Sequence, residues 1–285
     1  MTDDTLLTSE GLFTVATAGP ADGPLVILLH GYPQTRHTWR HQVPILGAAG
    51  YRAVAPDQRG YSAGVRPDPA NGLAPYAVDR LVQDVLDLAD TAGAPGRPFH
   101  LVGHDWGGHV SWVTAHRHPE RIRSLTVLSR PHPAAFRRAF RENADDQQHR
   151  SRHHKAFHDP ATGPRLLEDG VRRLRTRLAE QGVPPPAVDE YLSVLGEPAA
   201  LEAALAWYRA AGTLTAVEVG AVAVRTLYIW GDRDATVGPA AARQTADFVD
   251  GPFRFEILPG VGHFVTDEAP VAVTSLLLSH LGAQR

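Results

Sequence analysis

The chain has 285 residues, of which 43% are hydrophobic and 21% charged, with a formal net charge of −3. That suits one α/β core with an insertion and enough apolar surface for a real core, and it argues against a general nucleic-acid or polyanion binder. The absence of cysteine excludes a disulfide framework, a thiolate zinc site and a cysteine nucleophile.

The start, Met1-Thr2-Asp3-Asp4-Thr5, is acidic and lacks the basic residues and apolar stretch of a signal peptide. No apolar run approaches the roughly 20 residues of a membrane span. The expectation is a soluble, cytoplasmic protein. Phe13 to Ala18 reads as a short strand, followed by a Gly- and Pro-rich turn. Leu25 to Leu29 is a continuous β-rich run, suited to a strand buried on both faces of a parallel sheet. It leaves through His30-Gly31-Tyr32-Pro33. A helix is expected from Arg36 to Gly47, with Trp39, Val43, Ile45 and Leu46 on its inner side and Gly50 as its stop. Tyr51 to Ala55 is the next strand and ends in the polar loop Pro56 to Ser62.

Val78, Leu81, Val82, Val85, Leu86 and Ala89 recur at three- and four-residue spacing and predict an amphipathic helix that stops at Gly93. Phe99 to Val102 is a strand, Gly107 to Arg117 a helix, and Ile122 to Leu128 another strand. From Pro133 to Ala216 no buried strand is evident; the segment is rich in Arg, Ala and Glu and reads as inserted helices. Strands return at Arg225 to Trp230 and Phe253 to Leu258, and a helix from Val271 to Leu281 closes the chain. Alternating strands and helices predict an α/β fold with a mostly parallel sheet and flanking helices. The division is 1–132 and 216–285 for the core and 133–215 for a helical cap.

Between strand and helix stands Gly103-His104-Asp105-Trp106-Gly107-Gly108. Gly-x-Asp-x-Gly is the spacing of a nucleophile elbow, a strained turn that presents one side chain at the top of a sheet. A Gly-rich turn with an Asp helix cap would read the same over these residues alone. The usual occupant is Ser; Asp105 is ionised at pH 7 and can attack carbon directly to form an ester. Other strands end in polar loops that carry Asp232, Asp234 and His263. In an open parallel sheet those carboxyl ends share the ligand-binding edge. The order Asp105, Asp234, His263 is that of a nucleophile, an acid and a histidine base. His263 would take a proton from water, with Asp234 orienting its imidazole; Asp232 competes for that role. The backbone N–H groups of Tyr32 and Trp106 are candidates for an oxyanion hole.

These motifs resemble the α/β-hydrolases of the epoxide hydrolase and haloalkane dehalogenase group, over nearly the whole chain. The resemblance rests on His30-Gly31-Tyr32-Pro33, Asp57-Gln58-Arg59-Gly60-Tyr61, Gly103 to Gly108, Trp230-Gly231-Asp232-Arg233-Asp234 and Gly262-His263-Phe264. It favours Asp234 over Asp232. It implies the α/β-hydrolase fold with an inserted helical cap, no cofactor, no metal, and a small-molecule substrate, an apolar epoxide above all. Tyr32 stands where haloalkane dehalogenases carry Asn, and Gly108 to Ala115 contains no Arg of the fluoroacetate dehalogenase type. The chain looks most like an epoxide hydrolase, whose cap supplies two tyrosine hydroxyls to the epoxide oxygen. Tyr208, in Ala206-Trp207-Tyr208-Arg209, matches the second. No tyrosine lies between Pro133 and Glu190, and His153 is the positional match for the first, with His154 beside it. Pro33, Trp207, Phe264 and His154 are candidates for substrate contact. The alternatives are a dehalogenase that uses the same Asp and a ligand-binding protein without turnover. Association into a homodimer is left open.

Overall fold

The computed structural model describes residues 2–213 and 218–282. Eight strands form one sheet in the order β1-β2-β4-β3-β5-β6-β7-β8. They are β1 Thr2–Thr8, β2 Gly11–Ala18, β3 Leu25–Leu29, β4 Arg52–Pro56, β5 Phe99–His104, β6 Ile122–Leu128, β7 Thr226–Gly231 and β8 Phe253–Leu258. Pairs β1–β2 and β2–β4 are antiparallel, and every pair from β4 to β8 is parallel. The central strands are buried on both faces, which is why β3 reads Leu-Val-Ile-Leu-Leu without alternation.

Side chains of one strand still point alternately to opposite faces. Ile27, Leu29 and Leu101 pack on one face with α2 (Val78–Thr91) and α3 (Trp106–Arg117). Val26, Leu28 and Val102 pack on the other with α1 (Gln42–Ala48) and the final helix. Between β6 and β7 run α4 (Pro133–Glu142), α5 (Gln147–Arg150), α6 (Arg152–His158), α7 (Thr162–Leu167), α8 (Arg172–Glu180), α9 (Pro185–Leu195) and α10 (Pro198–Thr213). The expected end of this insertion, at 215/216, lies outside the described residues. After β7 come α11 (Pro239–Gln244), then β8, α12 (Val265–Glu268) and α13 (Pro270–Gly282). No helix among the described residues is long and apolar enough to cross a membrane.

Specific bonds tie the inserted helices to the sheet domain. Trp207 of α10 donates its indole N–H to the Arg59 carbonyl at 3.1 Å. Arg59 is itself held by a two-pronged pair to Asp84 of α2, at 2.8 and 2.6 Å. The Tyr191 hydroxyl of α9 reaches the Asp267 carboxylate of α12 at 2.8 Å.

The acidic start, to which the sequence assigned no element, forms edge strand β1, mostly exposed on both faces and so without a hydrophobic signature. One expectation is corrected. The helix expected from Arg36 to Gly47 is a 3-10 turn, Arg36–Trp39, followed by the shorter α1. Val43 and Leu46, three residues apart, turn inward, whereas Ile45 lies off that face and is 44% exposed. Gln42 takes the inner position instead, bonded to Thr274 Oγ1 at 3.1 Å.

The junction of β5 and α3 sets the positions of everything at the sheet's carboxyl edge. A side chain at Gly103 would put its Cβ 2.3 Å from the Gly107 carbonyl oxygen and 2.4 Å from Ser111 Oγ. Gly103→Ala is therefore expected to lose about 1–3 kcal/mol of unfolding free energy through overpacking. Gly282→Ala, where nothing lies within 4 Å, is the control and should be near neutral in the same denaturant titration.

Candidate active site

Asp105 sits at the turn between β5 and α3 with φ 47° and ψ −113°, a conformation that L-residues rarely adopt. Such strain costs about 1–3 kcal/mol and persists only when the surroundings over-determine it. Here they do. The Asp105 amide donates to the Leu128 carbonyl at 3.2 Å, and the Gly107 amide donates to the His30 carbonyl at 3.0 Å. Gly31 presses against the turn so closely that an added Cβ would lie 2.5 Å from that of Asp105. The carboxylate is thereby lifted off the sheet edge, in a residue only 9% exposed.

Its two oxygens have different surroundings. Oδ2 accepts the Tyr32 backbone N–H at 3.2 Å. The Trp106 backbone N–H also bonds the carboxylate. Oδ1 faces His263 Nε2 at 3.7 Å, within ion-pair range but beyond a hydrogen bond. On the far side of that imidazole, Nδ1 meets Asp234 Oδ2 at 2.9 Å. Asp234 Oδ1 accepts the Thr236 amide, the Thr236 hydroxyl and the Val237 amide at 2.7, 2.7 and 3.0 Å, so the acid is fixed before it orients the base. Asp232 is elsewhere: its Oδ1 accepts the Gly260 amide at 2.7 Å and braces the two strand-end loops against each other.

The electrostatics follow from burial and neighbours. Burial works against the Asp105 charge, but His263 foremost, then His104, Arg130 and the Trp106 N–H, overcome it and hold the carboxyl below its usual range. Burial likewise opposes a charged Asp234, and His263 again outweighs it. For His263, burial favours the neutral ring. The Asp234 charge, its hydrogen bond and the Asp105 charge win, and the imidazole titrates above 6.5.

A cavity of about 190 Å³ opens in front of this group, lined by Tyr32, Pro33, Asp105, Tyr208, His263 and Phe264. His153 and Phe157 of α6 close one wall, and Leu174, Arg177 and Leu178 of α8 another. Trp207 and His154 are not among the lining residues. Trp207 packs on Tyr61 and Trp106, and His154 backs the Tyr208 ring at 5.2 Å. The Tyr208 hydroxyl accepts a hydrogen bond from the Trp106 indole, so its own proton is left for the cavity. Burial pushes His153 down to about 4, and its ring is hydrogen-bonded to the Arg150 backbone. At neutral pH it is uncharged.

Two features of the site were not singled out in the sequence. The Tyr32 hydroxyl is buried and unpartnered among the described residues, although only the Tyr32 backbone had been considered. Arg130 lies two residues beyond β6, the same strand-end position that identified the other loops. Among the described residues no group of His, Cys, Asp and Glu is arranged to hold a metal ion.

Comparison with known proteins agrees with this architecture. Residues 24–270 match the alpha/beta hydrolase fold family. Epoxide hydrolase A of Mycobacterium tuberculosis is 31% identical over 94% of this chain and 93% of its own length. Epoxide hydrolase 3 of Xenopus tropicalis is 30% identical over 94% of this chain and 74% of its own length. The crystal structure of the Bacillus megaterium epoxide hydrolase in complex with an inhibitor superposes with a TM-score of 0.88, at 26% identity, covering 98% of this chain and 100% of that one. With a family match across most of the sequence and relatives of this identity over nearly all of it, the chain belongs to the α/β-hydrolase fold family, as an enzyme of its epoxide hydrolase group.

Proposed function

We propose that the protein hydrolyses an epoxide to a vicinal diol through a covalent ester on Asp105, with the 133–215 helices as a cap over a core of 1–132 and 216–285. The observation that carries this reading is the two-sided environment of the Asp105 carboxylate. Oδ1 faces His263; Oδ2 accepts the Tyr32 N–H, and the Trp106 N–H also bonds the carboxylate. In the first step Oδ1 attacks an epoxide carbon. The C–O bond of the ring breaks, its electron pair goes to oxygen, and Tyr208 supplies a hydrogen bond and then a proton. In the second step His263 takes a proton from water, and the resulting hydroxide attacks the ester carbonyl carbon. The carbonyl oxygen then carries the negative charge, and the Tyr32 and Trp106 N–H groups are where that charge develops. Collapse expels the diol oxygen, which takes the proton from His263, and the proton left on the Asp105 carboxyl returns to the Tyr208 oxygen, so both groups are restored. The sum is epoxide plus water giving diol.

The role assigned to the first cap tyrosine passes to another group. His153, on the cavity wall and kept neutral by burial, offers a single ring N–H at most. Tyr32 lines the same cavity, its hydroxyl is buried without a partner among the described residues, and its ring meets that of Tyr208 at 5.6 Å. It is the better second donor to an opening epoxide.

The ester itself is the first test. His263→Gln should alkylate and then stall, so that intact-mass spectrometry after mixing with styrene oxide finds one substrate mass added at Asp105. A variant that turns over without accumulating an adduct would remove His263 from the hydrolytic step.

Donor roles are read from pre-steady-state alkylation rates. Tyr208→Phe keeps the ring and removes one donor to developing charge, an expected loss of about 2–4 kcal/mol or roughly 30- to 1,000-fold. Tyr32→Phe should cost about 10-fold, and His153→Phe little. A His153 variant as slow as the Tyr208 variant would restore the histidine as a donor.

The charge of Asp105 helps to hold the His263 pKa up, and esterification removes that charge. An NMR titration should therefore place His263 above 6.5 in the unmodified protein and lower in Asp105→Asn, whose neutral amide mimics the ester. An equal or higher value in the variant would contradict the coupling.

A further inference from the structure

A second cavity, of about 350 Å³, shares no lining residue with the catalytic one. The Trp106 ring lines it, the Tyr208 ring lines the other, and the two rings meet edge to face at 5.0 Å. Leu81, Phe136 and Trp207 complete its apolar walls, and Arg130, His109 and Arg137 bring nitrogen donors to it. The one acid on its rim, Asp79, is 72% exposed and paired with Arg117 at 2.6 Å.

Arg130 is the anomaly. Its guanidinium lies over Phe136 at 4.6 Å and Trp106 at 5.8 Å, and no carboxylate of the described residues pairs with it. Its Nε is shut off from solvent and has no partner, and Nδ1 of neighbouring His109 is in the same condition. Buried cationic groups are costly unless paired, and each unsatisfied one in a native structure asks for an explanation. We propose that this cavity binds a carboxylate with an apolar body, held by the Arg130 guanidinium and the His109 ring against Trp106 and Phe136. An Arg fork matches a carboxylate's two oxygens, and no carboxylate of the described residues occupies that place. The aromatic walls favour a flat apolar body over a fully hydrated anion. The volume is at the small end of ligand pockets, which run from about 300 to 1,000 Å³, and suits a single-ring acid. Burial and the Arg130 charge push His109 down to about 3, so its ring is neutral and can offer one N–H to a carboxylate. None of this depends on the ester chemistry at Asp105.

Benzoate is the probe, titrated calorimetrically into the full-length protein, with neutral benzamide alongside. Benzoate should bind and benzamide should bind far more weakly. Arg130→Met should weaken benzoate roughly 10- to 100-fold, the size expected for losing charge-assisted hydrogen bonds. His109→Ala, a smaller change that tests the site even if Arg130→Met fails to fold, should weaken it several-fold. Arg177→Ala, which alters the catalytic cavity, should leave it unchanged. The proposal is overturned if the wild type binds no benzoate at millimolar concentration, or if benzamide binds equally well. It is also overturned if the folded Arg130 or His109 variants bind benzoate as tightly as the wild type, or if binding disappears with Arg177→Ala.

Discussion

The backbone at Asp105 is the constraint on which the rest of the site depends. A non-glycine residue at φ 47° and ψ −113° is unfavourable, and the molecule holds it there with close approaches that side chains would prevent. Gly31, Gly103 and Gly107 are each so near their neighbours that a Cβ would fall 2.3 to 2.5 Å from another atom. This brings the start of α3 against the end of β3. The same closeness aims the Tyr32 N–H at the Asp105 carboxylate, so the strained turn and the N–H pair are one construction. Relaxing the strain would move the carboxylate away from its donors.

Burial turns that construction into a charged device. Asp105, Asp234 and His263 are each nearly inaccessible, where charges interact more strongly than in water. Each ion is tolerated because another stands beside it. Asp234 is the most completely satisfied, with Thr236, Val237 and His263 all bonded to its oxygens. It has no cavity exposure and little chemistry of its own; it fixes the tautomer and raises the basicity of the ring it holds. Asp105 is different: its side chain lines the cavity, with Oδ1 3.7 Å from the His263 ring.

Much of this was legible in the sequence, for a physical reason. Buried parallel strands need continuous apolar runs, and the loops after them carry the glycines and acids that work at the sheet edge, so both signals are local. Asp105 and His263 could be named from strand ends alone, whereas the strand end left a choice between Asp232 and Asp234 that the family resemblance decided. What was not legible depends on three-dimensional packing. Edge strand β1 has no buried face to pattern it. Ile45 and Val43 are both apolar neighbours on one helix, and only its true starting point decides which turns inward. Asp232 and Asp234 look alike until one is found bracing Gly260. Trp207 and Tyr208 are adjacent, yet one anchors the inserted helices to Arg59 and the other lines the cavity. The orphaned state of Arg130 and of the Tyr32 hydroxyl is a statement about partners that are absent, and sequence patterns carry no record of that.

Charge balance links the two steps of the proposed reaction. In the free enzyme Asp105 and Asp234 are both negative, and His263 lies between them with its pKa raised. Such a ring is reluctant to act as a base, because it already tends to hold a proton. Ester formation neutralises Asp105 and removes one of the two charges that kept the proton on. The imidazole becomes easier to deprotonate at the stage when a neutral ring is needed to accept a proton from water. Asp234, still ionised, then stabilises the imidazolium that forms. Arg130 experiences the reverse. Asp105 is first among the charges that sustain its positive state, and that support is withdrawn on esterification. The same covalent event thus readies the base and leaves the cation beyond Trp106 with less negative charge around it. A carboxylate in the second cavity would restore that missing charge, which gives the two cavities an electrostatic connection although they share no lining residue.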